Sequence, residues 1–253
     1  MAASEKALRE EIVAAAARIA EAGFGGASGG DISARLSESM LITPSGAPYK
    51  TLRPPVLALM PLAGEYGAWK GPTKPAAEWR IHLDIFRARP DVGAVVRFQS
   101  PYATALAMAH RSIPAVHPTI ALFGAAEIKC ARYAPMGAKE LAELALDALG
   151  QGHAALLGSY GAITTGGALA AAVARAFELE ALAKLYGIAL TVGRPRVFSD
   201  EETFRIGERL KTAGADIEAR IEGRAADARK AKPKAKAARA PAKRKRVARK
   251  RKA

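Results

Sequence analysis

The segment Gly93-Ala94-Val95-Val96-Arg97-Phe98-Gln99-Ser100-Pro101 limits this chain more than any other. Val95, Val96 and Phe98 read as a strand deep in a core, ended by a Ser-Pro turn. Residues two apart share one face of a strand, so Arg97 and Gln99 point the same way. Burying a guanidinium without a partner costs several kcal/mol, as an order of magnitude. The strand therefore either runs along an edge or lines a polar cavity, and only the second case suits an enzyme.

The rest of the chain supplies layers for that strand. Residues 5–22 read as an amphipathic helix with Ile12, Ala15, Ala16 and Ile19 on one side, and the glycine-rich stretch 23–30 ends it. Asp31 to Ser37 and Ser39 to Thr43 read as a hairpin, and Pro44-Ser45-Gly46 as a turn. Val56 to Pro61 reads as a short strand. Helices are expected over 76–88, 102–109, 138–149 and 168–192, with a buried strand at 154–157. Ser199-Asp200-Glu201-Glu202 caps a last helix that fades near Glu222. Helices mixed with several successive strands favour an α/β fold, a three-layer α/β/α sandwich, over a pure βαβ repeat.

The net charge of +15 belongs almost wholly to the C-terminus. From Arg224 onward there are fifteen Lys or Arg against the single acid Asp227, so the preceding residues are nearly neutral. Residues 1–222 are expected to form the domain, and 223–253 a disordered Lys/Arg/Ala/Pro tail that buries too little apolar area to offset its ordering entropy. Within it, Lys243, Arg244, Lys245, Arg246, Arg249, Lys250, Arg251 and Lys252 suit salt-dependent, sequence-independent binding to nucleic acid or another polyanion. A merely solvated, solubilising tail explains the same charges equally well. No run of about 18 apolar residues suggests a membrane span, and the charged start lacks the pattern of a signal peptide. The lone Cys130 excludes an internal disulfide, so a cytoplasmic protein is expected.

Several segments together resemble one family. Gly30-Asp31-Ile32-Ser33-Ala34-Arg35, Leu41-Ile42-Thr43-Pro44-Ser45-Gly46-Ala47-Pro48-Tyr49 and Ala77-Glu78-Trp79-Arg80-Ile81-His82 look like the class II aldolase/adducin family. So do Arg111-Ser112-Ile113-Pro114-Ala115-Val116-His117 and Phe198-Ser199-Asp200-Glu201-Glu202. The resemblance covers roughly residues 5–222, and the combination is specific although no single piece is. It implies an α/β/α sandwich around a central sheet, usually a homo-oligomer and typically a tetramer. It also implies zinc held by three histidines, a Lewis acid that stabilises an enediolate, and a carboxylate that moves protons.

The carboxylate is present as Glu78, the candidate catalytic residue. Arg97 and Gln99 occupy the two places of the family's His-x-His, and Tyr160 the place of its third histidine. Arginine has no lone pair to give, and amides and phenols are poor zinc ligands beside imidazole, so no cofactor is expected. Gly30, Ser45 and Gly46 remain of the phosphate cradle, but its Asn has become Asp31 and its serine pair Ala76-Ala77. Gly30, Asp31, Ser45, Gly46, Arg97, Gln99 and Tyr160 are the expected pocket, with an Arg97–Glu78 ion pair in the former metal site.

The leading expectation is accordingly a binding or assembly module that has lost zinc-dependent carbon–carbon lyase chemistry. The alternative is a metal-independent aldolase-, lyase- or isomerase-like enzyme acting on a small carbonyl or sugar-derived compound. It would use Glu78 as acid and base, Arg97 as electrophile and Tyr160 as proton relay. Asp31 and the alanine pair then favour a carboxylate or neutral sugar over a phosphate ester. His82 shares a face with Glu78 at i+4, but it reads as a core residue rather than a ligand.

Overall fold

The computed structural model describes residues 4–25 and 30–212. Helix α1 (Glu5–Glu21) opens on Ser4, whose hydroxyl accepts the Ala7 N–H at 3.2 Å. Strands β1 (Asp31–Leu36), β2 (Ser39–Ile42) and β3 (Ala58–Pro61) follow, then α2 (Trp79–Ala88), β4 (Ala94–Phe98) and α3 (Pro101–Met108). Three two-residue strands come next: β5 (Ile113–Pro114), β6 (Glu127–Ile128) and β7 (Cys130–Ala131). The described chain closes with α4 (Lys139–Leu149), β8 (Ala154–Leu157), β9 (Gly161–Gly166), α5 (Leu169–Val192) and α6 (Asp200–Thr212).

Seven strands form one sheet in the order β3-β2-β1-β4-β9-β8-β7, antiparallel except for the parallel β7–β8 pair. Strand alternation sends Ile32, Ala34, Val96, Phe98, Leu156 and Ala162 to one face, where α1, α3 and α5 cover them. Met40, Ile42, Met60, Val95, Leu157 and Ile163 face the other way, against α2 and α4. Both faces are covered, so the three-layer α/β/α sandwich stands. No helix among the described residues is long and apolar enough to cross a membrane.

Strand β4 lies fourth of seven, in the middle of the sheet. The edge-strand alternative is thereby excluded, and Arg97 must be satisfied inside the protein. Differences from the sequence expectations have local causes. The helix expected from residue 76 begins at Trp79, because the Ala76 N–H bonds the Thr43 carbonyl and Pro75 bridges Pro44. The strand expected from Val56 begins at Ala58, after a 3-10 turn at Pro54–Val56 that Pro54 and Pro55 favour. Residues 161–166, outside every element expected from the sequence, form a fully buried strand. The tail and its eight named basic residues lie outside the described residues.

Candidate active site

The register of the sheet creates the centre of the site. Asp31 stands directly opposite Arg97 across the β1–β4 pair, and their side chains leave the sheet on the α2 side. The Arg97 Nε donates to Asp31 Oδ2 at 2.5 Å, with the two residues 6% and 5% exposed. Close approach of the strands depends on Gly30: its φ is +74°, and a Cβ there would sit 2.2 Å from the Arg97 carbonyl oxygen. Beyond β4, Glu180 of α5 fixes the turn into α3, accepting the Ser100 hydroxyl at 2.5 Å and the Tyr102 and Ala103 amides at 2.9 Å.

The expected Arg97–Glu78 ion pair is not formed. Asp31 takes that place, because it is the residue facing Arg97 in register. Burial alone would lower the arginine's proton affinity. Asp31, with Glu78 and Tyr49 farther off, reverses this and holds it above the usual value. Through Nε it makes its hydrogen bond to Asp31, and no described residue accepts from its two terminal nitrogens.

Glu78 occupies the position just before α2 and is 3% exposed. Its two oxygens accept the Gly137 N–H at 3.1 and 3.3 Å. Burial raises the carboxyl above the usual range, against the opposing pull of Arg97 and of that N–H. Tyr160 stacks on Tyr133, with ring centroids 5.5 Å apart and planes at 17°. Burial first, then the Tyr133 hydroxyl and the Glu78 charge, push its phenol up to about 12. Gln99 is half-buried and lies against Gly161, at the turn that carries Tyr160.

Gly30, Asp31, Glu78, Arg97, Gln99 and Tyr160 thus gather around the end of β4. Ser45 and Gly46 sit on an exposed turn tied by the Ser45 N–H to the Lys74 carbonyl. The Pro44–Pro75 bridge and the Ala76 N–H to Thr43 carbonyl bond link this turn to the segment that leads to Glu78. Five further residues belong to the arrangement. His82 is fully buried beneath it, its Nδ1 2.6 Å from the Ser33 hydroxyl and its Nε2 without a partner among the described residues. Burial brings this imidazole down to about 4, so it is neutral at pH 7. Tyr49, also buried, places its hydroxyl near Thr43, Asp31 and Arg97, and burial raises its phenol above the usual value. Tyr133 and Gly137 arrive on the connection between β7 and α4. The spacing from Glu78 to His82 was the one sequence signal for these; nothing local marks Tyr133 or Gly137.

No group of three or more His, Cys, Asp or Glu among the described residues is placed to hold a metal ion. A carboxyl biased toward its neutral form beside a fixed cation suits proton transfer at a carbon next to a carbonyl. The cation then stabilises the oxyanion that forms.

A helix-flanked mixed sheet with this acid and cation at its centre defines the class: the chain belongs to the class II aldolase and adducin family, whose Class II Aldolase and Adducin N-terminal domain matches residues 10–187. Among its relatives, the 5-methylthioribulose-1-phosphate/5-deoxyribulose-1-phosphate aldolase of Rhodospirillum rubrum is 40% identical over 83% of this chain and 94% of its own. The L-fuculose phosphate aldolase of Escherichia coli K12 is 36% identical over 83% of this chain and 97% of its own. A solved L-fuculose 1-phosphate aldolase superposes with a TM-score of 0.77 at 30% identity, covering 83% of this chain and 98% of that one. These relatives overturn the expectation of a non-enzymatic binding or assembly module: proteins matching this chain over nearly their whole length are named as aldolases.

Proposed function

We propose that the protein is an enzyme of this family that forms an enediolate from a small carbonyl or sugar-derived substrate without zinc. The observation that carries the reading is the buried Glu78 carboxyl, raised by burial, beside an Arg97 guanidinium whose terminal nitrogens face no described partner. The three positions that would hold zinc by resemblance do not fit it. Arg97 brings a cation already committed to Asp31, Gln99 an amide, and Tyr160 a phenol held protonated at neutral pH.

In the cleavage direction, the substrate hydroxyl loses its proton through Tyr160 to water. The carbon–carbon bond breaks and its electron pair moves onto the carbonyl, giving an aldehyde and an enediolate. Arg97 stabilises the enediolate oxygen, and protonated Glu78 delivers its proton to the carbon. An isomerase would share the enediolate and differ in which carbon receives the proton. The sugar phosphates named for the relatives, 5-deoxyribulose 1-phosphate and fuculose 1-phosphate, supply the reference assay for aldehyde release.

The test is aldehyde release after exhaustive treatment with a chelator. Turnover should survive chelation, and Glu78→Gln should lower kcat by about 10²–10⁴-fold. Activity that returns only on adding zinc, or that persists in Glu78→Gln, overturns the reading. Self-association is part of the same proposal. Leu185, Ile188 and Val192 form an exposed apolar stripe on α5, at 51%, 47% and 84% exposure. A monomer in sedimentation at micromolar concentration would refute it.

A further inference from the structure

We propose that Arg97, assisted by Gln99, is the receptor for a carboxylate group of the substrate, making a short oxo- or hydroxy-acid the substrate class. This rests on the enediolate reading of the same site and narrows it.

A guanidinium carries five N–H groups in a planar fork. Asp31 accepts the Nε–H of Arg97, and no described residue accepts the four on the terminal nitrogens. The residue is only 6% exposed, and what exposure remains includes the terminal nitrogens, which stay reachable from outside. Donors of a fixed cation that are reachable and give to no described residue are open to a ligand's acceptors. The outer edge of the fork presents two parallel N–H bonds, the geometry that matches the two oxygens of a carboxylate. Gln99 follows on the same side of the strand, half-buried, with no side-chain hydrogen bond to a described residue.

Charge favours a single negative charge over two. Asp31 already balances Arg97, and Glu78 adds a second carboxyl nearby. A monoanionic carboxylate adds one negative charge beside these two carboxyls, and a phosphate dianion adds two. The residues before Glu78 offer a phosphate no hydroxyl donors either: Ala76 is buried and Ala77 exposes a methyl group. Asp31 and Arg97 are the charges whose fields act on Glu78, from β1 and β4, and the Glu78 charge in turn reaches the Tyr160 phenol on the β8–β9 turn. A bound anion raises the proton affinity of Glu78 further, so carboxylate binding should draw a proton from the buffer wherever Glu78 is ionised beforehand.

Titration calorimetry of the full chain with pyruvate, and separately with inorganic phosphate, tests this at pH 7 in two buffers of different ionisation enthalpy. Pyruvate should bind more tightly than phosphate, with a buffer-dependent enthalpy. Glu78→Gln should bind pyruvate with no buffer dependence. Arg97→Lys keeps a cation for Asp31 but loses the fork, and should weaken pyruvate by about tenfold or more, the equivalent of one bidentate contact. Gln99→Ala leaves the ion pair untouched and should weaken it several-fold. Phosphate binding as tight as pyruvate, pyruvate binding unchanged in Arg97→Lys, or no binding of either anion overturns the proposal. The measurement involves no turnover. Its failure leaves chelator-resistant aldehyde release untouched, whereas pyruvate binding without any Glu78-dependent turnover sinks only the enzymatic reading.

Discussion

Removing the Asp31 carboxylate should destabilise the fold far more than any surface ion pair would. Asp31 and Arg97 are 5% and 6% exposed and share one hydrogen bond at 2.5 Å, so each charge relies mainly on the other for compensation. With charge centres about 4 Å apart, an effective dielectric of about 20 gives an attraction of about 4 kcal/mol. Asp31→Asn keeps an acceptor for Nε but leaves the guanidinium's charge unpaired, and should cost about 3–5 kcal/mol. For a domain of this size that is a fall in Tm of roughly 6–20 °C. Arg97→Gln strands the opposite charge and should cost a similar amount. The double variant Asp31→Asn/Arg97→Gln should be more stable than the sum of the singles predicts, with a coupling of about 2–4 kcal/mol. Urea unfolding at pH 7.5 reads all four proteins, with a common m-value as the check that each unfolds alike. The effect should persist in about 1 M salt, because buried pairs are poorly screened. A cost below about 1 kcal/mol for Asp31→Asn, or a coupling within about 0.5 kcal/mol of zero, refutes the pair as the element that makes a central-strand arginine tolerable.

Other outcomes follow from the same residues. Glu78 has a folded proton affinity above its unfolded one, so the wild type loses relative stability as pH rises past the ordinary carboxyl range. Glu78→Gln should therefore melt higher than wild type at pH 8 and no higher at pH 4, while its turnover collapses; equal melting temperatures at pH 8 would contradict the burial argument. His82 is depressed from 6.5 to about 4, so its contribution is intact above pH 6.5 and is lost as pH falls toward 4, about 3 kcal/mol in all. His82→Gln should flatten that limb of the stability curve by about 1.4 kcal/mol per pH unit, leaving the parallel contribution of His153 in place. Gly30→Ala should cost at least about 2 kcal/mol from its positive φ and the clash with the Arg97 carbonyl. Gly46→Ala, also at positive φ but in open space, should cost only about 1 kcal/mol.

The layers were legible because they rest on local pattern. The alternation of Ile32 and Ala34, the Val95-Val96 run and the spacing of Leu8, Ile12, Ala15 and Ile19 each declare their element without help from distant residues. Gly161–Gly166 is glycine-bounded and rich in Thr, and becomes a strand because β4 and β8 pair with it on both sides. The two-residue strands β5, β6 and β7 are too short to carry any period. At the site, Glu78 and Arg97 were legible as residue types, but Arg97's partner was not. Choosing Asp31 over Glu78 requires the β1–β4 register, a relation between residues 66 positions apart. Gly137 comes from 59 positions beyond Glu78 for the same reason.

Gly137 also couples loop position to acid strength. The amide that grips both Glu78 oxygens belongs to the connection carrying Tyr133 and the 58% exposed Met136, whereas Arg97 is bolted into the middle of the sheet. Should that connection swing outward, the carboxylate loses its N–H donor and becomes a weaker acid, though the sheet beneath has not moved. Substitutions along residues 133–137 can therefore retune the pH at which the site works without touching any group that does the chemistry.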